Sequence, residues 1–413
     1  MSPGTRDPGP EAHASPREGI VGFWRALHYR WAFVSLATLL YWFAAHTLRP
    51  LVTLRLDDLG AGDAQIVVTV AAYPFFSLFF AIPGGRLVDR IGVDKVLTVS
   101  LLGMILVGIG YVVADSPLEI LLVQVPNGVV EVGVWLALQA LVSHAGSGAF
   151  LTRQLALFSL AWGLAQAVGP AVGGAVYESF GFEPLGLIYV GAALGSLVSC
   201  RLIRYRGSER EAEADAPDER NALERIRHIV DRPAVKGVLL SSFVGLYLQS
   251  LKQSFYPLVL ERMGISVAQI GVLLSIMGAT SLLIRLPLPS LLSRHGSGRV
   301  LVWGMWVSVV GIALTPWLGS VWLLGAAALV VGAGYGVNPP ITVELMARHT
   351  QPEERGLAMG IRVSSNRLAQ VVQPVVFGGL ASITGMAMAF PASGLLLGAV
   401  TFMASREERQ MAS

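Results

Sequence analysis

The sequence is short of cysteine, of lysine and of charge. Cys200 is the one cysteine in 413 residues, which excludes an internal disulfide and any thiolate metal cluster. The three lysines, Lys95, Lys236 and Lys252, follow Asp, Val and Leu, so the Gly-Lys pair of a nucleotide-cradling P-loop is missing. No H-E-x-x-H and no Gly-x-Ser-x-Gly occurs, so neither a zinc-hydrolase helix nor a nucleophile elbow is present. With these motifs missing, neither an enzyme nor a metal site is expected. Charged residues are 14% of the chain against 54% hydrophobic, too little polar surface to coat a soluble body. Nucleic acid is not an expected partner, because the longest charged stretch, 208–228, mixes both signs.

What is abundant is apolar sequence in long runs. A helix crosses the hydrocarbon core with about 20 mostly apolar residues, and twelve such windows run from 31–51 to 386–404. The expected class is all-α integral membrane, twelve transmembrane helices in two pseudo-symmetric six-helix halves. Residues 1–22, rich in Pro, Gly and charge, are expected to be a disordered cytoplasmic tail rather than a cleaved signal. The halves are 23–206 and 235–404, joined by a cytoplasmic linker at 207–234 and followed by a tail at 405–413. Alternate loops hold most of the 30 basic residues, while the opposite loops hold only Arg55 and Arg262. The positive-inside rule then puts both termini in the cytoplasm of a multi-pass inner-membrane protein.

The halves align at a shift of 204 residues: Ala64-Gln65-Ile66 recurs as Ala268-Gln269-Ile270, and Leu164-Ala165-Gln166 as Leu368-Ala369-Gln370. The charged stretch GGRLVDRIGVDKVL, 84–97, has a mate too, with Arg90 and Gly92 repeated as Arg294 and Gly296 but Asp89 replaced by Ser293. Gly85, Asp89, Arg90 and Gly92, in the order G-x-x-x-D-R-x-G between the second and third spans, resemble the signature loop of the major facilitator superfamily. That resemblance covers the chain from first span to last. It implies alternating access about a central site, and a cytoplasmic latch in this loop that favours the outward-open state. The basic residues of the loop also serve topology alone, a reading that leaves Asp89 unexplained. In the fifth span, Gly169, Pro170, Gly173 and Gly174 resemble the helix-bend motif of the superfamily's proton-coupled drug exporters, although small residues also serve ordinary helix packing.

Charge inside a span costs about 2.5 to 3.5 kcal/mol or more at mid-membrane, so each intramembrane charge is a candidate for function. Helical spacing puts Trp42, His46 and Arg49 on one face of the first span, and Gln124, Asn127, Glu131 and Trp135 on one side of the fourth. Gln249, Lys252, Gln253 and Tyr256 share a side of the seventh span, and Tyr335 and Asn338 a side of the tenth. The eleventh adds Arg362 and Arg367. The resemblance implies that the first, fourth, seventh and tenth spans line the substrate cavity. Glu131, the one acid at mid-span, and His46, which titrates near neutral pH, are the candidates for proton coupling. Glu131 reads equally as a permanent ion-pair partner of Arg49, Lys252 or Arg367. Exporters of the resembled class carry an Arg where Gln124 stands, so their proton route is not carried over whole.

The expected function is secondary transport by alternating access: a proton-coupled efflux antiporter of a small organic compound. It needs no cofactor beyond a proton gradient. The basic interior points to an anionic or zwitterionic substrate and to a second reading, an importer or symporter of an organic anion. A receptor or assembly subunit with a transporter fold is the third, and fold alone does not exclude it. The chain is expected to work as a monomer in the lipid bilayer.

Overall fold

The computed structural model of the chain describes residues 16–143, 148–203, 219–351 and 354–411, and within them every regular element is a helix. Hydrocarbon offers the backbone no water to bond, so a spanning segment must close its own hydrogen-bond ladder, as a helix does. The chain opens with α1 (Pro16–Leu48), a 3-10 turn at Arg49–Leu51, and α2 (Val52–Asp58). There follow α3 (Asp63–Ile91), α4 (Val93–Val113), α5 (Pro117–Ser143), α6 (Gly148–Phe180) and α7 (Glu183–Ile203). After α8 (Glu219–Val230) come α9 (Pro233–Gln253), α10 (Phe255–Arg262), α11 (Val267–Leu283) and α12 (Leu288–His295). The last are α13 (Ser297–Ala313), α14 (Val321–Gly336), α15 (Asn338–Arg348), α16 (Arg355–Thr384) and α17 (Met386–Met411). Of the expected tail, residues 1–15 lie outside the described set, as do 204–218 of the linker region and 412–413 at the end.

Among the described residues eight helices are long and apolar enough to cross a membrane, or nine when α11 and α12, bent by 64°, count as one. Three of the twelve windows fall outside that number for separate reasons. The helix α13 has 17 residues, α16 is diluted by Arg362, Asn366, Arg367, Gln370 and Gln373, and side chains of α1 are described only from Ala32 onward. Outward-facing positions are apolar, with Leu106, Val113, Leu122, Ile383 and Leu395 exposed, which suits contact with lipid.

The repeat is visible in the backbone. Among the described residues six glycines have positive φ, and they form three pairs at the 204-residue shift: Gly60 with Gly264, Gly92 with Gly296, Gly181 with Gly385. An L side chain crowds its carbonyl in that region, so Gly92 and Gly296 end α3 and α12 at equivalent points. The helix breaks repeat as well. Pro50, in the 3-10 turn, corresponds to Ser254, which separates α9 from α10.

Two seams join the N-terminal helices α1–α7 to the C-terminal helices α9–α17: α6 packs along α11, and α3 along α16. The shift carries the first pair onto the second. In the α6–α11 seam Gly174, Gly271 and Gly278 have no room for a Cβ, facing the carbonyl oxygens of Val267, Pro170 and Gln166. On the other side of α6, Gly169 and Gly173 lie against His46 and Thr47 of α1. The four residues of the helix-bend motif thus sit where three helices meet, and α6 runs on through Pro170.

Candidate functional site

A cavity of about 1050 Å³ lies between the N-terminal and C-terminal helices. It runs from Arg49 and Thr53, beside the two helix breaks, to Gly85, Val88 and Ser143 at the end of the bundle that carries the exposed Arg86, Arg90 and Lys95. At the opposite, acidic end the two sets of helices are tied together. Arg262, at the end of α10, donates from Nη2 to Asp57 at 2.6 Å and to Asp63 at 2.8 Å. The Ala268 amide donates to Glu178 at 2.6 Å, and the Thr53 hydroxyl to the Ser254 carbonyl at 2.8 Å. The cavity is therefore closed at the acidic end and extends to the basic one.

Glu131 stands at the deep end of the cavity, 1% exposed, in an ion pair with Arg49. The Tyr73 hydroxyl donates to the same carboxylate oxygen at 2.9 Å, and Arg49 Nη2 lies 2.8 Å from that hydroxyl. The Tyr189 hydroxyl is within hydrogen-bond distance of the other carboxylate oxygen, at 3.0 Å, and of Asn127 Oδ1, at 2.9 Å. Asn127 in turn donates to Tyr111, which donates to Gln124 Oε1 at 2.9 Å. Tyr41 donates to the Glu131 carbonyl at 3.1 Å. A buried charge is tolerable when paired and fully hydrogen-bonded, and this carboxylate is both. Across the interface, Arg49 Nη1 donates to Gln253 Oε1 at 3.2 Å.

Most of the residues expected from the helical spacing line the cavity. Trp42, Arg49, Gln124, Trp135 and Glu131 do so from the N-terminal side. Gln249, Gln253, Tyr335, Asn338, Arg362 and Arg367 do so from the C-terminal side. Three expected liners stand elsewhere. Asn127 is buried behind Gln124 and Glu131 in the tyrosine network. Lys252 is turned behind Tyr335, donating to its hydroxyl at 2.8 Å with Nζ 4.7 Å from the ring centroid. Tyr256 packs on Phe390, because the break at Ser254 ends the helical phase that relates it to Gln249 and Lys252. His46 is 2% exposed and off the wall, stacked on Trp42 with ring centroids 5.5 Å apart and its Nε2 unpartnered.

Within the signature loop, Gly85 lines the basic end of the cavity, Gly92 ends α3 and Arg90 is exposed. The Asp89 side chain lies outside the described residues. Sequence spacing missed the four tyrosines around Glu131 and the Arg262 cluster. The tyrosines come from four different helices, so no single-helix stripe marks them. Arg262 is visible in the sequence as one of two basic residues in otherwise acidic loops.

The family model of the Major Facilitator Superfamily matches residues 34–252 and, a second time, 238–410. The chain belongs to that superfamily, whose members are membrane transporters and not enzymes. It is 26% identical over 179 residues to the multidrug resistance protein MdtG of Klebsiella pneumoniae, a match covering 42% of this chain and 43% of that one, less than half of either. It is 21% identical over 318 residues to the class H tetracycline resistance protein of Pasteurella multocida, covering 75% and 78%. In fold it resembles the nucleoside transporter NupG, with a TM-score of 0.72 and 15% identity over 93% of this chain and 100% of that one.

Proposed function

We propose that the protein is a proton-coupled secondary transporter of a small organic anion or zwitterion, working by alternating access through twelve spans in two halves. The observation that carries this is the charge of the cavity wall. Arg49, Arg362 and Arg367 line the same cavity as Glu131, the one carboxylate among the lining residues, and Arg49 already neutralises it. Two guanidinium groups are left for a substrate. With both termini cytoplasmic, the basic end is the cytoplasmic one and the described state faces inward.

Two directions of coupling have support. Export by antiport is favoured by the resistance proteins among the relatives and by the Gly169-Pro170 motif in α6. Cotransport is favoured by linkage: protonating Glu131 frees Arg49 for an anion, and a bound anion favours that protonation in return. Proteoliposomes screened with a panel of solutes under an imposed pH gradient separate the two. A solute moving into the lumen with acidification marks cotransport, and one moving in with proton release marks exchange. In either case Glu131→Gln abolishes coupled proton movement. Persistence of coupling in that variant removes Glu131 from the mechanism.

A further inference from the structure

The two walls of the cavity differ in kind. On the N-terminal side four aromatic rings join into one surface: Trp42 meets Trp135 edge-on with centroids 5.4 Å apart, and Trp162 edge-on at 6.2 Å, while Trp135 continues to Phe158 at 5.4 Å. All four line the cavity. They come from α1, α5 and α6, so the surface is assembled by the fold and is not a single helix stripe. On the C-terminal side the wall is cationic and polar. Arg362, Asn366, Arg367 and Gln370 of α16 all reach the cavity. Among the described residues neither Arg362 nor Arg367 has a carboxylate partner. Among these same described residues Arg367 Nη1 has only Gln370 Oε1, at 3.2 Å, and the Arg362 Nε and Asn366 Oδ1 atoms are buried without a partner.

The two walls leave each other largely unmet; the exception is Trp162, whose ring centroid lies 5.5 Å from the Arg285 guanidinium carbon. A guanidinium is a planar fork that binds carboxylate or sulfonate through paired hydrogen bonds, and its gain is largest where water is sparse. An aromatic cluster offers edges and faces to a flat apolar body. We propose that the substrate is an amphipathic aromatic anion: a flat ring system seated among Trp42, Trp135, Trp162 and Phe158, with one carboxylate or sulfonate held by Arg362 and Arg367. At about 1050 Å³ the cavity has room for a body of several rings, being at the upper end of the range for drug-sized ligands. Such a ligand touches the N-terminal helices with its body and the C-terminal helices with its head. A neutral ring or an aliphatic acid satisfies one wall only.

This proposal rests on the reading of the cavity as the substrate site, and three probes test it: naphthalene-2-sulfonate, the neutral naphthalene-2-sulfonamide and cyclohexanesulfonate. Saturable binding of each radiolabelled probe is measured on the full-length protein in nanodiscs. The expected result is about tenfold tighter binding of the naphthalene sulfonate than of either analogue. Removing both cations, Arg362→Gln with Arg367→Gln, brings the sulfonate down to the sulfonamide. Trp135→Leu brings it down to cyclohexanesulfonate. Equal affinities for the three probes, no saturable binding, or an equal loss of sulfonate and sulfonamide binding in the arginine variant overturns the proposal. The wild-type ranking decides by itself should a variant fail to fold. Exchange in proteoliposomes separates this outcome from the transport reading. Panel solutes that exchange while the three probes bind alike defeat the ligand class only, whereas the predicted ranking without exchange of any solute defeats transport only.

Discussion

Arg49 and Gln253, equivalent positions of the two copies, touch each other across the interface, the guanidinium donating to the amide oxygen at 3.2 Å. The same guanidinium is the ion-pair partner of Glu131. One side chain therefore links the buried acid of α5 to the break between α9 and α10.

Removing one member of that pair leaves the other buried and uncompensated, which costs about 3 to 5 kcal/mol in a closed interior. Arg49 keeps 20% exposure and faces the cavity, so the lower part of that range applies. Glu131→Gln and Arg49→Gln should each lower the midpoint of thermal unfolding in detergent. The double variant should recover part of the loss, since it leaves no orphaned charge. Additive losses in the double variant would show that the two groups are not coupled.

The acidic end is held by Arg262, which bridges Asp57 and Asp63 with partly exposed groups. Such pairs contribute on the order of 1 kcal/mol together, enough for a several-fold shift between states. Arg262→Gln is expected to populate a conformer open at that end. Spin labels at Ser179→Cys and Met263→Cys, in a Cys200→Ser background, should gain a longer distance component. High salt should do the same to the wild type by screening.

Glu354, at the start of α16, accepts both branches of Arg232, at 2.8 and 2.9 Å. That pairing holds its carboxyl below the ordinary glutamate range. A value lowered on folding contributes stability that is full above the unfolded value and disappears as pH falls through the folded one. Glu354→Gln should therefore be less stable than wild type at neutral pH. The two unfolding curves should converge on acidification below the ordinary glutamate value. A gap that persists in acid would assign the effect to packing.

The seam between α6 and α11 depends on backbone contact. Gly278→Val places side-chain atoms against the Gln166 carbonyl and should sharply reduce the monodisperse fraction in size-exclusion chromatography. Gly379→Ala on α16 meets nothing within 4 Å and should leave it unchanged. Similar behaviour of the two would detach the seam from folding.

Helix periodicity makes much of the cavity lining readable from the sequence. The stripe Trp42 and Arg49, and the acid Glu131, are where helical phase puts them, because α1 and α5 are regular up to those residues. Phase failed at Tyr256, since the helix is reset at Ser254: Pro257 has no N–H to offer the Gln253 carbonyl, and α9 ends there. Lys252 shares the cavity-facing helix yet points behind Tyr335, a choice made by a partner on another helix. Tyr73 and Tyr189 look like ordinary aromatic residues of a membrane span. Their hydroxyls acquire meaning only once α3 and α7 close around the acid.

The contact between Arg49 and Gln253 also bears on ancestry. In a homodimer of the single copy, whatever residue stands at this position faces its own twin across the axis, and two arginines there would repel. Fusing the copies into one gene lets a single side mutate. Here one side is an arginine and the other an amide that accepts its hydrogen bond, so a position where two arginines would repel is one of attachment.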